Sequence, residues 1–315
     1  MNILGICSIA LDTISSVDHL PIVDSFCTVL ETKKLQGGSG TNVLVQAQKL
    51  GAHTAVITKI ASDPDSDQIM KNLKNYGIDS RGVYREIGNY KAPHCLIYVD
   101  SNGEKTLILD KPSDLPPFTE DQINLDLIDS TEVVYLDFNP APLTPKIAEL
   151  AKSKNKKVVM NVQDNMTTIH DRGLNDDQLL GCLKFLDVFA PCQEGIKELS
   201  GEDDVDKQIN FIRKYYKGLI ILTLGINGLV AVDETNKRYV LPSYKVTPVD
   251  TTGAGDSFIG SFMYAYLTQN MDLVSALKFS TACAALTCTQ YGAQASPTLS
   301  EVNEFMSNNK LKGVD

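Results

Sequence analysis

The sequence predicts a doubly wound α/β domain, a mostly parallel sheet with helices on both faces, plus a small β-sheet lid. Three observations carry this. Apolar runs of strand length alternate with helical patterns, which implies a parallel sheet covered on both sides. Two stretches, 12–36 and 88–110, read as strands with no helix between them, and such strands form a side sheet able to cover a cleft. The last fifth, Gly253 to Asn309, reads as three helices. The expected division is 1–11, 37–87 and 111–315 for the α/β domain, with 12–36 and 88–110 for the lid.

Each element follows from its pattern. Ile3 to Ile9 is an apolar run and reads as a buried first strand. Gly40 to Leu50 places Val43, Ala47 and Leu50 on one helical face. Thr54 to Ile60 is a strand, and Asp63 to Tyr76 a helix with Ile69, Leu73 and Tyr76 aligned. His94 to Val99 and Glu104 to Leu109 flank an Asp-Ser-Asn-Gly turn, a hairpin signal. Strands follow at Glu132 to Leu136, Lys157 to Asn161, Asp187 to Ala190 and Leu219 to Leu224. Helices near Pro142 to Lys154, Gln193 to Leu199 and Val205 to Tyr216 separate them. The middle of the three late helices is rich in small residues around Thr281-Ala-Cys-Ala-Ala, which permits close packing.

Composition narrows the function. The chain has 315 residues, 43% of them apolar, enough for a large core. Its formal net charge of -10 argues against nucleic acid or an anionic membrane as partner, since both need a basic surface. The seven cysteines are odd in number and lack a C-x-x-C, so buried thiols in a reducing, cytoplasmic setting are expected. No apolar run is long enough to span a membrane, and the start reads as a strand rather than a signal peptide.

The richest segment is Val249-Asp-Thr-Thr-Gly-Ala-Gly-Asp-Ser-Phe-Ile-Gly. A Gly-containing loop opens an apolar helix, so the amides of Gly253, Ala254 and Gly255 are free to bind an anion with help from the helix dipole. Asp256 falls in the first helical turn, where the dipole favours a carboxylate. Beside a transferring phosphoryl group, that carboxylate can accept a hydroxyl proton. A Gly turn with Asp as a cap, worth about 1 kcal/mol, explains a lone G-x-G-D but not the whole segment. The second segment, Gly37-Gly-Ser-Gly-Thr-Asn42, offers backbone groups at Gly38, the hydroxyl of Ser39 and the amide of Asn42 to sugar hydroxyls.

These two segments, in this order, resemble the C-terminal and N-terminal signatures of the ribokinase-like (PfkB) carbohydrate kinases. The resemblance extends over nearly the whole chain and implies a ribokinase-like fold. It implies an ATP-dependent phosphotransferase acting on a hydroxyl of a sugar, with magnesium and potassium as cofactors. It also implies a homodimer formed through the lids. By the same resemblance Asp256 is the catalytic base, and Asp12 and Asp137 join the substrate site. Thr223, Gly225, Gly228 and Cys283 face ATP. Asp250 and Thr252 hold the monovalent cation, and Gly292-Ala-Gln lies near the adenine and that cation site.

The sequence departs from the family pattern at two places. An N-x-x-E that organises magnesium is replaced by Cys192-Gln-Glu-Gly195, which shifts the expected metal contacts to Glu194 or to Asn161, Gln163 and Asp164. Ser39 stands where ribokinases carry lysine, which weakens a ribose assignment. A nucleoside kinase of the same family and a catalytically weak sugar-binding regulator are the alternatives. A Walker A loop, a G-x-G-x-x-G, an H-E-x-x-H and a G-x-S-x-G are all absent.

Overall fold

The structure, a computed structural model, describes residues 1–102, 104–110, 115–162, 165–309 and 311. Its strands are β1 (Ile3–Ile6), β2 (Ala10–Val17), β3 (Val29–Gly37), β4 (Thr54–Ile60), β5 (Asp79–Arg85), β6 (His94–Val99) and β7 (Lys105–Asp110), then β8 (Val133–Leu136), β9 (Lys157–Val162), β10 (Val188–Pro191), β11 (Leu219–Thr223), β12 (Leu229–Val232) and β13 (Arg238–Leu241). The α-helices are α1 (Ser39–Lys49), α2 (Pro64–Tyr76), α3 (Leu125–Asp129), α4 (Thr144–Ser153), α5 (Met166–Asp171) and α6 (Asp176–Cys182), then α7 (Gln193–Ser200), α8 (Val205–Arg213), α9 (Ala254–Phe262), α10 (Leu273–Thr287) and α11 (Leu299–Asn308).

Among the described residues the main sheet runs β13-β12-β11-β10-β9-β8-β1-β4-β5. Every neighbour from β11 to β5 is parallel, and β12 and β13 add an antiparallel edge. Strands buried on both sides need continuous apolar runs, and β1, β4, β8 and β10 supply them with no exposed residue. One face packs on α1, α2, α9, α10 and α11 through Val43, Leu73, Phe258, Leu277 and Val302. The other packs on α3 to α8 through Leu127, Ile147, Ile169, Leu179, Ile196 and Ile209. A second sheet, β3-β2-β6-β7, forms the lid. The expected fold class is therefore what the structure contains.

The chain leaves β1 towards β4 and β5, then returns on the other side to β8. Strand order reverses between β1 and β8, and in such sheets the crevice beyond the carboxyl ends of the strands is the ligand site. α1 begins above that crevice. α9 packs along α1 so closely that a Cβ on Gly260 would come within 2.3 Å of the Val43 carbonyl oxygen. Glycine is required there by contact, and the two helix N-termini are thereby brought together.

Several details differ from the sequence expectation, among them the helices α3, α5 and α6, which it did not contain. β1 stops at Ile6, not Ile9, because the Ser8 carbonyl oxygen accepts from the Thr41 amide and hydroxyl, both at 3.1 Å, as the chain turns into the lid. The lid sheet accordingly starts at Ala10. The strands β5, β12 and β13 went unanticipated. β5 and β13 are sheet edges with exposed polar positions, and β12 is only four residues long, so none has a clear period.

Candidate active site

Asp256 sits in the first turn of α9 and is only 6% exposed. Its Oδ1 accepts from Ser39 Oγ and its Oδ2 from Asn42 Nδ2, both at 2.8 Å. Both donors lie in the first turn of α1, so one short segment holds both oxygens. Hydrogen bonds donated to a carboxylate favour its ionised form. No side chain caps α9, and Gly253 enters it with φ of 80°. A Cβ there would come within 2.5 Å of the Ala293 carbonyl oxygen, so the left-handed turn and the close approach both require glycine. A helix N-terminus turns its first amides outward along the dipole, and Asp256 stands in that first turn.

Asp12 lies on β2 opposite Leu35 and Cys95 and is 8% exposed. Its carboxylate lies directly over Gly37, where a Cβ would be 1.9 Å from Oδ2. Burial, and then the charge of Asp256, push Asp12 up to about 7. Two carboxylates thus face one small space, and the lid supplies one of them. Gly38, with φ of 86°, carries the chain past Ile9 into α1.

The structure revises several expected roles. Asp137 turns back on the β1–β2 connection: its oxygens accept from Ser8 N at 2.9 and 3.1 Å, from Ser8 Oγ, and from Asn139 N at 3.2 Å. Ser8 Oγ in turn accepts from Gly40 N at 3.1 Å. Asp137 therefore builds the floor beneath α1 instead of offering an open substrate contact. Cys283 was expected at ATP, but it is fully buried inside α10, where small residues let that helix press on α9. Thr223 closes β11 and is half-buried, Gly225 is exposed on the β11–β12 turn, and Gly228 is buried where a Cβ would meet the Leu241 carbonyl oxygen at 2.0 Å.

The cation expectations fare differently. Asp250 accepts from Thr252 N and Gly292 N, both at 2.9 Å, and so braces the loop. Thr252 Oγ1 accepts from Lys105 Nζ at 2.9 Å, and an ammonium at that distance opposes a potassium ion. The Thr252 hydroxyl is thereby turned to an ammonium, while the Asp250 carboxylate keeps lone pairs beyond those its two amide partners use. Glu194 is exposed in the first turn of α7, beyond the carboxyl end of β10. Asn161 is buried on β9, and Gln163 and Asp164 lie outside the described residues. Among the described residues, no three His, Cys, Asp or Glu side chains converge as a metal site.

Ser8, Lys105 and Gln294 matter more than the sequence indicated. Ser8 and Lys105 stand outside any Gly-rich segment. Gln294 was expected, with Gly292 and Ala293, near the adenine and a monovalent cation; its Nε2 donates to Asn42 Oδ1 at 3.2 Å.

The family model for pfkB carbohydrate kinases matches residues 3–299. The chain belongs to that family. The ribokinase of Dictyostelium discoideum is 29% identical over 313 residues, covering 93% of this chain and 96% of the relative. The crystal structure of ribokinase from Thermotoga maritima superposes with a TM-score of 0.83 at 26% identity, covering 98% of this chain and 100% of the other. Arabidopsis thaliana ribokinase, solved with ribose and ATP, gives a TM-score of 0.80 at 20% identity, covering 96% of this chain and 98% of the other. The carbohydrate kinase expected from the two glycine-rich segments is what the comparisons find.

The Asp12 environment gives a measurable consequence for this kinase. An unfolded aspartate titrates near 3.9, and folded Asp12 near 7. The folded chain holds the proton more tightly between those values, so stability falls as pH rises from about 4 to about 7. The Asp12→Asn variant should lack that fall. Denaturation at pH 5 and pH 8 should show the wild type losing up to ~2.5 kcal/mol more than the variant. Equal losses would place Asp12 in solvent.

Proposed function

We propose that this kinase transfers the terminal phosphoryl group of MgATP to a hydroxyl of a neutral sugar, with Asp256 as the base. The observation that carries this reading is the buried Asp256 carboxylate, held at both oxygens by α1 and standing at the uncapped N-terminus of α9. The acceptor hydroxyl gives its proton to Asp256 as its oxygen bonds to phosphorus, and the bond from phosphorus to ADP breaks. The first-turn amides of α9 stabilise charge on the transferred group. Magnesium arrives with the nucleotide phosphates, and Glu194 is the acid we assign to this edge. The turn at Thr223 and Gly225 is the nucleotide side. Lys105 crosses from the lid to Thr252 and supplies a positive charge where phosphates would lie.

A neutral sugar suits the cleft better than a phosphorylated one. Asp12 and Asp256 would repel a second phosphate, and Ser39 brings no charge where ribokinases carry lysine. Asp12 accepts from sugar hydroxyls, beside Gly38, Ser39 and Asn42. Lid closure then excludes water. We also propose that two chains pair through their lids. Leu30 and Leu107 on the lid's edge strands, and Val23 and Phe26 in the β2–β3 connection, are exposed, Phe26 by 98%, and such apolar surface in solvent invites cover. Seven free cysteines fit a reducing compartment such as the cytoplasm. No helix among the described residues is long and apolar enough to cross a membrane.

The Asp256→Asn variant should fold normally, bind nucleotide, and lose about 10²- to 10⁴-fold in turnover. ADP release across pentoses, hexoses and nucleosides reads this directly. A variant with near-normal turnover removes Asp256 from the role, and silence of the wild type with nucleotide still bound favours a sugar-binding regulator. Lys105→Met should weaken ATP use, raising KM for ATP about tenfold or lowering kcat, while sugar KM holds. A change in sugar KM alone would contradict the phosphate assignment. Light scattering in solution should return twice the chain mass, and a monomer at micromolar concentration would refute lid pairing.

A further inference from the structure

A line of three side-chain amides runs outward from the base. Asn42 Nδ2 donates to Asp256 Oδ2 at 2.8 Å. Gln294 Nε2 donates to Asn42 Oδ1 at 3.2 Å. Asn72 Nδ2, on α2, donates to Gln294 Oε1 at 3.1 Å. Backbone contacts fix the track. Lys49 Nζ donates to the Gln294 and Ser296 carbonyl oxygens at 2.7 and 2.8 Å, and Gln46 Nε2 donates to the Pro297 carbonyl oxygen at 3.0 Å. Asn72 also lines a groove of about 520 Å³ between β3 and α2, so the outer end of the line reaches the surface beside the lid.

The order of donors is dictated by charge. An ionised carboxylate can only accept, so Asn42 must turn its NH₂ to Asp256. That leaves the Asn42 carbonyl to accept, and only an NH₂ from Gln294 satisfies it. Gln294 then presents its own carbonyl to Asn72. Reversing any one amide would set oxygen against oxygen at its inner contact, and reversing Asn42 would take the donor from Asp256.

We propose that Gln294 and Asn72 are positioning residues that lock the Asn42 amide in the orientation that serves Asp256. This rests on Asp256 being the base. The role is one of polarity, not of packing: an amide at 72 or 294 can be replaced by a neutral group with modest loss, but not by a carboxylate, which demands an NH₂ and flips its neighbour. The groups facing Asp256 from the other elements are Asp12 on β2, Cys7 after β1 and Tyr135 on β8. None of them belongs to the line, so they act equally on every variant.

The experiment compares Asn72→Ala, Asn72→Asp, Gln294→Met, Gln294→Glu and Gln68→Glu. Gln68 lines the same groove and adds a charge of the same sign without entering the line. Turnover against pH should show Asn72→Asp and Gln294→Glu losing tenfold or more, with the acid limb moved to higher pH and sugar KM little changed. Asn72→Ala and Gln294→Met should lose less and keep the limb in place, and Gln68→Glu should match the wild type. Equal effects of Ala and Asp at position 72, or a Gln68→Glu shift as large as that of Asn72→Asp, would overturn the relay. A second readout does not depend on turnover. In ¹⁵N spectra of the protein without substrate, the NH₂ signals of Asn42 and Gln294 should titrate together, and Asp256→Asn should abolish that shared step. Independent titration refutes the relay even where Asp256 proves to be the base, and a shared step with an active Asp256→Asn variant refutes the base and leaves the line.

Discussion

The Asp256 carboxylate belongs to α9, but its two oxygens are held by α1, a helix more than two hundred residues earlier in the chain. Most of the site depends on that junction. Gly260 lets the helices touch along their backbones. Ser257 Oγ donates to Gln46 Oε1 at 2.6 Å, and Gln46 reaches on to the segment before α11. The same contact that closes one face of the core therefore aims the Asp256 carboxylate. An isolated buried carboxylate would take up a proton, and two donors with a helix N-terminus oppose that outcome.

The electrostatic character of the cleft follows from what surrounds this junction. Asp12 comes from the lid and Asp256 from the main domain, and their mutual repulsion adds to burial in raising Asp12. Lys105, also from the lid, meets the loop before α9 at Thr252. The lid thus brings a carboxylate to one part of the cleft and an ammonium to another. Such a division suits a hydroxyl-bearing substrate on one side and phosphates on the other, each recognised by groups that assemble only when the two sheets face each other.

Much of this was legible in the sequence, for physical reasons. The parallel strands needed unbroken apolar runs, and the glycine-rich segments needed residues tolerant of positive φ, so both left local signals. Asp256, Asn42 and Ser39 lay inside those segments and were found, and the structure brings them into contact. What local pattern could not convey is the direction of a side chain. Asp137 ends a strand at the crevice yet folds back on Ser8. Cys283 was expected at a nucleotide yet lies buried in the core. Lys105 is one charge in a plain hairpin, and nothing in its neighbours tells that the lid delivers it to Thr252. The link from Gln294 to Asn42 went unread because it spans almost the whole chain.

The most direct test of the α1–α9 junction is the pH profile of phosphoryl transfer in a Ser39→Ala, Asn42→Ala double variant, measured as kcat with sugar and MgATP saturating. Loss of both donors should lower kcat by about tenfold or more and move the acid limb to higher pH, with partial recovery of rate as pH rises. A double variant that keeps the wild-type profile, limb and plateau alike, would contradict the account and show that the Asp256 carboxylate needs nothing from α1.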